Sequence, residues 1–144
     1  MSRCDFKIVL LGSEHVGKTS LVIRFVNCRF NAGTPYQNVS LLFAKHVQYE
    51  AMTRLYYRGA HAAIICYEPG CLHSWQRLRH WLTELRTVEE DCKVYLCGTK
   101  KDLLDNGATT RVVPEETVAT YSQGLRGHFL TSSKTGENVG GYCF

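Results

Sequence analysis

The chain has 144 residues, enough for one domain and too few for two ordinary ones. Its 44% apolar and 21% charged residues are those of a soluble globular protein. A net charge of +4 with no run of like charges argues against a nucleic-acid arm or a polybasic membrane patch.

In chain order, residues 5–11 read as a buried strand. The stretch Gly12-Ser13-Glu14-His15-Val16-Gly17-Lys18-Thr19 follows it, and the helical pattern of residues 19–27 comes next, with Leu21, Val22, Phe25 and Val26 on one face. This is the strand, glycine-rich turn and helix of the P-loop pattern G-x-x-x-x-G-K-[ST]. The glycines let the backbone wrap closely, so that the amides of His15, Val16, Gly17, Lys18 and Thr19 converge on phosphate oxygens at the positive end of the helix. Lys18 neutralises the β and γ phosphates in this reading, and the Thr19 hydroxyl ligates magnesium. The phosphate-binding set is therefore Gly12, Glu14, His15, Val16, Gly17, Lys18, Thr19 and Ser20.

Residues 28–37, with Gly33 and Pro35, read as a loop. Residues 39–47 alternate apolar and polar as a strand does, and residues 49–58 suit a short helix ended by Gly59. Ala62-Ala63-Ile64-Ile65-Cys66-Tyr67 is a continuous apolar run of central-strand type, broken by Glu68-Pro69-Gly70. Trp75, Leu78, Trp81, Leu82, Leu85 and Val88 recur at spacings of three and four, an amphipathic helix for which Ser74 is a plausible cap. Val94-Tyr95-Leu96-Cys97 is a further central strand, and residues 100–111 read as a polar loop containing Asn106-Gly107. Pro114 opens a short helix over residues 115–122, and residues 128–131 form a last short strand. Strands alternating with helices predict a parallel α/β sheet in a single domain over residues 1–144.

Seven cysteines is an odd count, with no C-x-x-C pair and no secretory signal, which points to reduced thiols in a cytoplasmic protein. Cys66 and Cys97 lie inside apolar runs and are expected in the core. No stretch approaches the length of a membrane-spanning helix.

Two later stretches each follow a predicted strand and so share the sheet edge of the P-loop. Gly98-Thr99-Lys100-Lys101-Asp102 resembles the N-K-x-D guanine motif of the small GTPases, and Thr131-Ser132-Ser133-Lys134 resembles their S-A-K motif. A fixed carboxylate at Asp102 accepts two hydrogen bonds from guanine N1–H and the 2-amino group, donors that adenine does not offer at those positions. This disfavours an adenine-specific kinase. Lys100 lays its stem over the base, Thr99 and Ser132 flank it, and the backbone near Ser133 and Lys134 meets the guanine carbonyl. Phe30 sits where the family stacks an aromatic ring on the other face.

The chain most resembles the Rab family of Ras-like GTPases. Tyr56-Tyr57-Arg58-Gly59-Ala60 looks like a Rab signature, and the 36–38 run and Cys97-Gly98-Thr99-Lys100 look like its divergent Rab twenty-four branch. The resemblance implies GTP and GDP as ligands, a magnesium ion, a Ras-like fold, vesicle trafficking, and Rab-type regulators and effectors as partners. Family members associate with intracellular membranes.

The resemblance also exposes departures. The family's D-x-x-G turn, which holds magnesium through water and senses the γ phosphate, has no counterpart, since Asp5, Asp91, Asp102 and Asp105 all lack a glycine three residues on. A strand, its turn and that loop would occupy on the order of fifteen to twenty residues between Gln48 and Tyr49. Val39 replaces the threonine that the family uses for magnesium. After Asn138 the family begins a long helix, whereas here six residues follow, and Cys143 matches no prenylation pattern. The expectation is a P-loop fold lacking the family's third strand and last helix, with no lipid anchor in this chain, weakened magnesium binding, slow or lost GTP hydrolysis and no nameable catalytic residue. The alternative is a truncated variant that folds poorly or serves as a non-catalytic binding module. Strand 39–47 could also turn to pair beside residues 6–11.

Overall fold

The structure, a computed structural model, describes residues 7–27 and 58–139. Strand β1 (Ile8–Leu11) leads through the glycine-rich turn into helix α1 (Lys18–Asn27). Strand β2 (Ala62–Tyr67), helix α2 (Leu72–Val88) and strand β3 (Lys93–Gly98) follow. A five-residue helix α3 (Lys101–Asp105), helix α4 (Glu115–Tyr121) and strand β4 (Gly127–Leu130) complete the described elements. The described strands form one four-stranded, all-parallel sheet in the order β1-β2-β3-β4.

All six residues of β2 are buried, as its unbroken apolar run requires for a strand covered on both faces. Alternation along the strands divides the interior in two. Val9, Leu11, Ala63, Ile65, Tyr67, Val94 and Leu96 face α2 and α4, meeting Trp75, Leu78, Trp81, Leu85 and Val118. Leu10, Ile64, Cys66 and Cys97 face the other way, onto Val16, Leu21 and Val139. Edge-to-face stacking of Trp75 on Tyr67 at 5.1 Å and on Tyr121 at 5.3 Å binds α2 to β2 and to the end of α4. Ile65 is fully buried at the sheet centre, so Ile65→Val is expected to cost about 0.5–1.5 kcal/mol in a denaturant titration.

The amphipathic stripe of α2 packs as its spacing predicts, with Leu82 and Val88 half-buried at its margins. Its start differs. The helix begins at Leu72 with Cys71 as the flanking residue, and Ser74 lies in the first turn. The Ser74 hydroxyl accepts from the Glu68 amide at 2.8 Å and donates to the Cys71 carbonyl at 2.7 Å, so it closes the turn leaving β2 instead of capping the helix. In α1, Leu21 and Val22 pack on the sheet, but Phe25, expected on the same face, is 56% exposed. It sits one turn farther from the P-loop.

The polar stretch after β3 is not a simple loop, because α3 occupies its start. None of its five residues is buried, so it carries no apolar periodicity to read. It is held by an ion pair from Lys101 to Asp105 at 2.8 Å, one turn apart, and by Asp102 in its first turn. Gly59 adopts a φ of +77°, suited to ending a helix, while the readings of residues 28–57, including loop 28–37, strand 39–47 and helix 49–58, lie outside the described residues.

Candidate functional site

Because the strands are parallel, every carboxyl end opens on one edge, and the turns leaving β1, β2, β3 and β4 converge there. The turn after β1 must start at a glycine. Gly12 has a φ of +144°, and a Cβ placed on it would stand 2.6 Å from the Cys66 carbonyl oxygen. The left-handed values at His15 (+63°) and Gly17 (+101°) then curl the chain into the start of α1, the kind of backbone that forms an anion-binding concavity. Gly12→Ala is expected to lower stability by about 1–3 kcal/mol and to distort the turn, measurable as a drop in melting temperature.

Lys18 folds back over this turn, its ammonium donating to the carbonyls of Gly12 at 2.5 Å and Ser13 at 2.7 Å. Burial pushes its pKa down to about 8, against the opposing pull of Cys66 and Glu14. Thr19 and Ser20 follow in the first turn of the helix, both half-buried, while Glu14 and His15 are exposed at the tip.

The turn after β3 is tied to the P-loop at two points. The buried Thr99 hydroxyl bonds the Val16 carbonyl at 2.6 Å, with the Tyr67 carbonyl at 3.2 Å. Lys100 sends its ammonium to the His15 carbonyl at 3.0 Å and to the Glu68 carboxylate at 3.1 Å. Its backbone is left-handed, with a φ of 59°, fixed on one side by the Thr99 amide on Tyr67 and on the other by the Lys101 amide on Thr131. A non-glycine residue held in that conformation is a cost that the surrounding bonds impose.

Asp102 is oriented by the loop after β4. The Ser132 hydroxyl, on a fully buried residue, donates to Asp102 Oδ1 at 2.9 Å and accepts from the Thr135 amide at 3.1 Å. That loop is closed by Gly136 bonding back to Ser132 at 2.8 Å, and Arg24 of α1 reaches the Thr135 carbonyl at 3.1 Å. Among the described residues, no partner takes the backbone amides of Ser133 or Lys134, and Lys134 itself is exposed.

The structure therefore brings the three sequence motifs to one edge and joins them through Thr99, Lys100, Ser132 and Arg24. Phe30 and Val39 lie outside the described residues. Sequence reasoning missed Glu68, Arg24 and Thr135. Glu68 was accessible to the same rule that picked out Asp102, since it ends a strand at the same edge; the role of Arg24 depends on helix α1 passing the last loop, which no local pattern records.

The donor set suits a guanine nucleotide: a half-buried ammonium at a glycine-rich turn for phosphate, and an oriented carboxylate for a base bearing adjacent N–H donors. For magnesium the described residues offer the Thr19 hydroxyl in the first turn of α1.

The model of the Ras family matches residues 7–38 and 44–142. Ras-related protein Rab-24 of Dictyostelium discoideum is 35% identical over 158 residues, covering 96% of this chain and 77% of the relative. Ras-like GTP-binding protein RYL2 of Yarrowia lipolytica is 32% identical over 141 residues, covering 85% of this chain and 68% of the relative. The match to Rab-24 spans 158 residues against a chain of 144, so part of the relative stands opposite no residue here. With a P-loop, an oriented Asp102 and a parallel sheet in a chain so matched, this protein belongs to the Ras family of small GTPases and is Rab-like within it.

Proposed function

We propose that the chain binds GTP and GDP, with Lys18 and the turn from Gly12 to Thr19 on the phosphates and Asp102 on the guanine. The observation that carries this reading is the Ser132–Asp102 hydrogen bond, which aims a carboxylate into the same edge that the Lys18 ammonium occupies. Thr99 and Lys100 hold the two halves at a fixed separation, which lowers the ordering cost of binding. Magnesium, when bound, supplies charge neutralisation at the β and γ phosphates, and Thr19 is the residue that would hold it.

Hydrolysis is proposed to be slow or lost. Family members are GTPases, but this chain has no D-x-x-G sequence to sense the γ phosphate and hold magnesium through water, and Val39 has no side-chain oxygen. The chain then acts as a guanine-nucleotide-dependent binding module for Rab-type regulators and effectors in vesicle trafficking. A working place in the cytoplasm, beside intracellular membranes, rests on family membership alone.

The test is a titration with fluorescent GDP, with and without magnesium, competed by GTP and by ATP. Micromolar or tighter binding that GTP displaces and ATP does not is the expected result. No saturable binding by a cooperatively melting protein would refute the proposal. GTP turnover is expected to stay at background when a Rab-activating protein is added, and clear stimulation would overturn the loss of hydrolysis.

A further inference from the structure

Two cysteines that the nucleotide site does not use stand side by side in the sheet. Cys66 of β2 and Cys97 of β3 are direct partners in the parallel register, both fully buried and both on the face that packs on Val16 and Leu21. Cys97 Sγ lies 3.3 Å from the Thr131 hydroxyl. Cys66 also lies directly under the P-loop: a Cβ built on Gly12 would meet the Cys66 carbonyl at 2.6 Å and the Cys66 Cβ at 3.3 Å.

We propose that Cys66 and Cys97 form a reversible dithiol–disulfide site beneath the phosphate-binding loop, shielded when that loop holds nucleotide. The shielding rests on the function proposed above; the dithiol site does not. Neighbouring strands stand about 4.8 Å apart, inside the Cα separation of about 4.4–6.8 Å that a disulfide spans. The usual Cβ separation of a disulfide is about 3.8 Å, so closing the bond pinches the two strands, which marks it as labile and not structural. The oxidant required is a low-molecular-weight disulfide. One thiol, as thiolate, attacks it to give a mixed disulfide and releases one small thiol. The second protein thiol then displaces the other small thiol. One S–S bond breaks and one forms, and the two thiol protons end on the two small thiols.

With the turn in place the site is quiet, because the neighbouring Cys97 thiol and burial hold the Cys66 thiol well above its ordinary range. The turn that starts at Gly12 rests on Cys66, and its Val16 packs in the same cluster, so this turn is the cover that must lift for access. Fastening that turn onto phosphates closes the route, and pinching β2 toward β3 moves the floor on which the turn rests. The coupling is therefore reciprocal.

The test exposes the folded, reduced full-length chain to oxidised glutathione, with and without saturating GDP, then alkylates and maps the peptides by mass. The expected result is a Cys66–Cys97 linked peptide, two hydrogens lighter than its reduced components, formed at least tenfold faster without GDP and reversed by dithiothreitol. It persists in Cys71→Ser and is absent in Cys66→Ala. Glutathione on the half-buried Cys71 with no Cys66–Cys97 link, or a link that forms only in urea, overturns the dithiol site. Equal rates with GDP demonstrably bound overturn the shielding alone. If the chain holds no GDP, the nucleotide reading fails and the shielding with it, while the presence or absence of the link still decides the dithiol site.

Discussion

Asp102→Ala is expected to weaken GDP binding by about two to three orders of magnitude while the protein stays folded. The size follows from the bonds lost: a carboxylate accepting two hydrogen bonds from guanine, each charge-assisted and worth about 1.5–3 kcal/mol, against partial replacement by water. Stability falls less. The Ser132 hydroxyl, buried and donating to Asp102 at 2.9 Å, loses its acceptor and retains only the Thr135 amide as partner, a cost of about 1–3 kcal/mol. Ser132→Ala separates the two effects, because it keeps the carboxylate and removes its orientation. About a tenfold loss of affinity is expected there, with most of the stability cost. The measurements are fluorescent-GDP titrations and thermal melts on both variants. Unchanged GDP affinity in Asp102→Ala would remove guanine from the proposal altogether.

The contrast between these two residues marks what the sequence could and could not disclose. Asp102 stood out because a carboxylate at fixed spacing after a strand is a local pattern, and parallel topology carries it to the P-loop edge without further information. The buried strands were legible for a related reason: a continuous apolar run such as residues 62–67, only six residues long and ended by Glu68-Pro69-Gly70, has the length of a strand and not of a helix. The helix α3 was not, since five unburied residues leave no periodic trace and its stability comes from an ion pair and a helix dipole. Ser74 misled because a serine before an apolar stripe reads as a cap, whereas its hydroxyl is occupied by the turn that leaves β2. Phe25 misled because periodicity assigns a face to a residue but does not say how far along the helix that face is covered. Glu68 and Arg24 act across long sequence separations, Arg24 reaching Thr135 and Glu68 reaching Lys100, and only the fold brings those partners together.

Lys18→Met is expected to reduce GDP affinity by about two to three orders of magnitude and, more tellingly, to abolish a pH dependence. In the folded chain burial holds the Lys18 ammonium at a pKa of about 8, below its ordinary 10.5. Below about 8 the lysine is charged in both folded and unfolded chains, and the folded state bears the full penalty of a buried charge. Between about 8 and 10.5 the unfolded chain holds a proton that the folded chain has released, so stability from this group rises with pH across that window and levels off above it. Nucleotide binding runs the other way. Phosphates favour the charged ammonium, so the nucleotide-free protein must take up a proton to bind above pH 8, and GDP affinity falls by up to about tenfold per pH unit. Methionine keeps the length of the side chain without the charge, which flattens both slopes, although the Gly12 and Ser13 carbonyls then lose their donor. Urea titrations and GDP titrations between pH 7 and 10.5, run in parallel on both proteins, check the two signs together. A rise in stability that survives in Lys18→Met belongs to another group, and a GDP affinity flat in pH for the parent chain would mean that the Lys18 ammonium does not meet the phosphates.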